Sequence, residues 1–163
     1  MNKIIIGIIV ILVLGGIIWI ARPDATSAPA VQVNSNGTLT VAEANNYDFG
    51  AISMAAGKVK HAFKIKNTSN EAVAINKVYT SCMCTTATLI NGGRQFGPYG
   101  MPSHGAIPKI NQTVNSNEEA IVEVVFDPAA HGPAGVGRIQ RTITIENNAG
   151  QPIELMFAAV VTP

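Results

Sequence analysis

From Thr38 to its last residue the chain alternates with a period of two. Val59, His61, Phe63 and Ile65 are interleaved with Lys60, Ala62, Lys64 and Lys66. An extended chain with that pattern carries one apolar face and one basic or small face. Val122, Val124 and Phe126 repeat the pattern, as do Ile139, Ile143 and Ile145, and then Ile153, Leu155, Phe157, Ala159 and Val161. No stripe of helical spacing runs between Thr38 and Pro163. Turn formers separate the segments, at Asn67-Thr-Ser-Asn70, at Pro128 to Gly137 and at Asn147-Asn-Ala-Gly150. About six to eight short strands with such turns predict an all-β fold, an immunoglobulin-like antiparallel β-sandwich over residues 38–163. In this reading Ala72 to Tyr79 pairs with the preceding strand as a hairpin, and Leu89 to Glu119 is one long loop.

The N-terminus is of another kind. Ile4 to Ala21 is an unbroken run of 18 uncharged residues, which as a helix covers most of a hydrocarbon core about 30 Å thick. A cleavable signal peptide has a shorter apolar core, about 7–15 residues, followed closely by a small-x-small site. The nearest such site here, Ala28-Pro29-Ala30, lies well beyond the run. Residues 1–22 are therefore expected to form a single transmembrane signal anchor, with the N-terminus cytoplasmic and the domain extracytoplasmic, in the periplasm or at the cell surface. Residues 23–37, small, polar and interrupted by Pro23 and Pro29, read as a flexible linker.

Charge narrows the partners. Beyond residue 37 nine Lys or Arg balance nine Asp or Glu, and no cationic run occurs. Nucleic-acid binding rests on clustered Lys and Arg, so it is not expected. Asn36, Asn67 and Asn111 each open an Asn-x-Ser/Thr triplet; in a chain rich in Asn and Thr these read as chance matches.

Chemistry converges on Ser81-Cys82-Met83-Cys84-Thr85, which holds the only two cysteines. In a flat strand, residues two apart face the same way with Cα atoms about 6.5–7 Å apart, at or beyond the reach of a disulfide. Bridging would require a turn or strain, and a strained bridge is easily reduced. Two thiolates on one face can instead chelate a soft metal, and Cys is also commonly buried as a small hydrophobe. If the following loop folded over the pair, Cys82, Cys84, Met101 and His104 would form a soft-metal set suited to copper, with His61 and His131 as weaker additions. Arg141 falls on the apolar face of its strand, which calls for a carboxylate partner or a bulge. No serine-hydrolase elbow, phosphate loop or zinc-protease helix motif is present.

Asp48-Phe49-Gly50, the stretch Val59 to Thr68, Ser81-Cys-Met-Cys-Thr85, then Val124-Val-Phe-Asp-Pro128 and Gly132 follow one another as in a bacterial family, domain of unknown function 1573. The chain resembles that family from about residue 38 onward, with Met83 where the family pattern has Gly. The resemblance implies a fold similar to the ASH and major-sperm-protein-like domains and an extracytoplasmic setting, and it brings no activity. The expectation is a membrane-tethered binding or assembly module with a protein partner, no catalysis and no required cofactor. The alternative is a copper(I)-binding or thiol-redox domain acting through Cys82 and Cys84.

Overall fold

The computed structural model describes residues 39–102 and 107–163. The expected anchor over 1–22, the linker over 23–37 and His104 lie outside the described residues. Among the described residues no helix is long and apolar enough to cross a membrane.

Ten strands follow in order: β1 (Leu39–Val41), β2 (Asn46–Ser53), β3 (Val59–Asn67), β4 (Val73–Thr80) and β5 (Thr85–Asn91), then β6 (Arg94–Tyr99), β7 (Gln112–Val114), β8 (Glu119–Phe126), β9 (Gly137–Asn147) and β10 (Ile153–Thr162). They form two five-stranded sheets, ordered β1-β3-β8-β5-β6 and β2-β10-β9-β4-β7. With β2, β6 and β7 set aside, β1-β3-β8-β5 is the A-B-E-D order of an immunoglobulin sandwich, and β4-β9-β10 is its C-F-G order.

Period-two patterning fills the space between the sheets. Phe63, Ile65, Leu89, Val122 and Val124 from one sheet meet Ile75, Ile143, Ile145, Leu155 and Phe157 from the other, none more than 2% exposed. Each such side chain contributes about 1.5–3 kcal/mol by leaving water. The outward faces carry charge in cross-strand pairs: Lys60 meets Glu123 at 3.2 Å and Lys66 meets Glu119 at 3.6 Å.

Three expectations need correction. The sandwich is mixed rather than wholly antiparallel, because β2 runs parallel to β10. That ladder shifts register between Ala158 and Val160, beside a kink where Gly50 takes φ 68° and its N–H is capped by Asp48 Oδ1 at 2.8 Å. Next, β3 and β4 are not a hairpin. β3 pairs with β1 and β8, whereas β4 pairs with β7 and β9 in the opposite sheet. The connection between them is pinned by Asn67, fully buried, whose side chain donates to the Glu71 and Val114 carbonyls at 2.7 and 3.0 Å and accepts from Ser69. Finally, Leu89 to Glu119 is not one loop. β5 turns tightly into β6 through Gly92 and Gly93, both at positive φ (56° and 77°), as a two-residue hairpin turn demands, and β7 adds a short rung further on.

Candidate functional site

The chain leaves one sheet at Thr80 and enters the other at Thr85, so Ser81 to Cys84 must reverse direction within four residues. The Thr85 N–H closes the turn onto the Cys82 carbonyl at 3.1 Å. Thr80, buried, spans it from beneath, its hydroxyl 3.0 Å from both the Cys82 and the Thr85 carbonyl. Ser81 exchanges two bonds with Thr142 of β9, each 2.9 Å, and the Asp127 N–H reaches the Cys84 carbonyl at 2.9 Å. The crossover is thus tied to both sheets.

That bend brings together two sulfurs which a flat strand would hold apart. Cys84 points into the core at 3% exposure, Cys82 sits half-buried at the rim, and Met83 between them is 65% exposed. Both thiols are free. The Cys84 thiol donates to Cys82 Sγ across 2.6 Å, and the Cys84 backbone N–H adds a longer contact to the same sulfur at 3.5 Å. His131 places Nε2 3.1 Å from Cys82 Sγ. Arg141 donates from Nε to Cys84 Sγ at 3.2 Å and from Nη1 to the Gln140 carbonyl at 2.8 Å. The Thr85 hydroxyl lies 3.6 Å from Cys84 Sγ.

The two sulfurs consequently differ in acidity. Burial by itself raises the Cys82 thiol, but hydrogen bonds from Cys84, His131 and the Cys84 backbone, with the charge of Arg141, outweigh it and bring the thiol down to about 7. Cys84 moves the other way: burial raises it, and so does donating its proton to Cys82, against the opposing pull of Arg141. The two thiols titrate as a pair, and the outer sulfur is the one favoured to ionise first.

Of the sequence-expected residues, Cys82 and Cys84 meet, and His131 joins them with all three ligand atoms within 4.8 Å of one another. Met101 is 46% exposed and stands outside this hydrogen-bonded group; it follows Gly100, whose carbonyl accepts from the Thr80 N–H at 3.1 Å. His61 is elsewhere, stacked on Tyr47 at 3.7 Å and edge-on to Phe63 at 4.6 Å. Arg141 needs neither carboxylate nor bulge, since it keeps regular register opposite Phe157 and its partner is a sulfur. Chelation asks for more room: two sulfurs about 2.3 Å from a tetrahedral ion lie about 3.8 Å apart, well over the observed 2.6 Å. A covalent bridge is about 2.05 Å, so the free pair has the spacing of neither.

Residues 40–93 match the family model described as protein of unknown function (DUF1573). The match takes in the cysteine turn and stops before His131 and Arg141. No curated protein matches the sequence. Among solved structures, a protein of unknown function from Porphyromonas gingivalis W83 is similar at a TM-score of 0.53 and 16% identity, over 82% of this chain and 51% of that one. The chain therefore spans about half the length of that structure. A family 123 glycoside hydrolase from Clostridium perfringens is similar at 0.50 and 7% identity, over 73% of this chain and 23% of its own. The ASH / PapD-like domain of human CEP192 is similar at 0.49 and 11% identity, over 83% of this chain and 92% of that domain, a score too low to argue from. At these identities the first two likenesses show a shared fold alone.

Proposed function

We propose that this chain is a membrane-tethered, extracytoplasmic immunoglobulin-like module whose Cys82–Cys84 pair exchanges thiol for disulfide with a protein partner. One observation carries the reading: a half-buried thiol at the rim, its pKa lowered, lies with its sulfur 2.6 Å from that of a second thiol buried behind it. The outer sulfur is the attacking group and the inner one resolves. The apolar run Ile4–Ala21 supports the setting, since disulfides persist outside the cytosol.

In chemical terms Cys82 thiolate attacks a disulfide R–S–S–R, forming Cys82–S–S–R and releasing one thiolate. Cys84, its proton given up to that released thiolate, then attacks Cys82 Sγ, closing the internal disulfide and releasing the second R–S group as thiolate. Two electrons pass from the dithiol to the substrate, and the step reverses when the partner is a dithiol.

Glutathione disulfide serves as the test substrate for the reduced full chain. The expected result is an internal disulfide with two glutathiones released per chain, no reaction in Cys82→Ser, and a stable glutathione adduct on Cys82 in Cys84→Ser. Copper remains the competing reading. Two unreactive thiols together with tight one-to-one Cu(I) uptake would replace exchange by metal binding.

A further inference from the structure

Arg141 interrupts an inward-facing row between Ile139 and Ile143, where the pattern calls for an aliphatic side chain. Placing even a half-buried guanidinium against a core is unfavourable unless it is compensated, and an apolar residue would serve there without that cost. What Arg141 faces is Cys84 Sγ at 3.2 Å, with the side chain held by its bond to the Gln140 carbonyl. His131, by contrast, faces Cys82 Sγ. Each sulfur has its own cationic or ionisable neighbour, His131 from the connection between β8 and β9 and Arg141 from β9 itself.

Resting on the exchange reading, we propose that Arg141 is the positioning residue of the second half-reaction, holding Cys84 as a thiolate while it attacks the mixed disulfide. In the reduced resting state the Cys84 proton has an acceptor, the Cys82 thiolate. Once Cys82 carries R–S, that acceptor is gone. A thiol only 3% exposed has almost no water to stabilise its charge, and thiolate, not thiol, is the nucleophile. Arg141 stays protonated and has no acceptor, so it cannot act as a base. Its contribution is a charge-assisted hydrogen bond to the thiolate, whose proton the R–S⁻ released in the first step has taken up.

The test is a single-turnover reaction of the reduced full chain with glutathione disulfide, acid-quenched and read by mass. Attack is followed as loss of the fully reduced chain, and resolution as conversion of the Cys82–glutathione adduct into the internal disulfide. Wild type is expected to resolve too fast for the adduct to build up. Arg141→Gln is expected to slow resolution about tenfold or more, the size of a lost charge-assisted bond, with a smaller loss in attack. Arg141→Lys is expected to recover part of the resolution rate. The urea midpoint of each variant is expected to stay at or above that of wild type, since a desolvated charge has been removed or kept paired. Resolution in Arg141→Gln as fast as in wild type, equal losses in both steps, or no recovery by Arg141→Lys would overturn the assignment. If wild type forms neither the adduct nor the internal disulfide, the exchange reading itself fails, a result distinct from any of these.

Discussion

At the scale of single residues, two cysteines one position apart have opposite surroundings and therefore opposite chemistry. Cys82 collects donors and Cys84 keeps its proton, so alkylation at neutral pH should fall almost wholly on Cys82. The sign follows from the thiolate being the reactive form: the Cys82 rate should be low in acid, rise through a midpoint at about 7, and level off above it. His131→Ala should move that midpoint up and slow the reaction at pH 7 several-fold, because a hydrogen bond that favours the thiolate is lost. Rates of iodoacetamide labelling, site by site, check both statements. A midpoint near the ordinary thiol value of 9.0 would count against this account. The sequence makes the cysteine pair conspicuous and marks Arg141 as an anomaly on an apolar face. It cannot pair them, because Cys84 and Arg141 are 57 residues apart and Cys82 and His131 are 49 apart, and only the closing of the sandwich brings them to 3.2 and 3.1 Å.

At the scale of elements, the site exists because β4 and β5 belong to different sheets. A crossover of four residues has no room for an extended path, and the bend that results is what lets residues two apart touch. Thr80 is the bracket of that bend. Thr80→Val keeps the shape and deletes a buried hydroxyl facing two carbonyls. It should cost about 1–3 kcal/mol of stability, the usual price of leaving buried acceptors unmet, and it should slow closure of the internal disulfide. Urea unfolding and the exchange assay read the two effects separately. The alternating strands were legible from the apolar pattern alone, since that pattern is the burial itself. Hairpin and crossover were not distinguishable for β3 and β4, because both put apolar residues at every second position. The turn at Gly92-Gly93 was legible in principle: Asn91-Gly-Gly-Arg94 is the two-residue hairpin signature, obscured by the weak alternation of β6, whose residues are half-buried or exposed.

For the whole molecule, the sandwich is a stiff and electrically quiet frame. Lysines that make the β3 face look basic in sequence are met by Glu123, Glu43 and Glu119 at 3.2, 3.1 and 3.6 Å. Exposed pairs of this kind are each worth about 0–1 kcal/mol, so the frame owes its stability to the apolar interior, of which Cys84 is a part. The central claim is that the pair is a reversible, self-contained dithiol. Equilibrating the full chain across a series of glutathione redox buffers, then trapping and counting free thiols, tests it most directly. A single two-electron transition to an internal disulfide, independent of protein concentration and with unchanged circular dichroism, is the predicted result. Thiols that persist across the series, or that are lost only through bridges between chains, would contradict it.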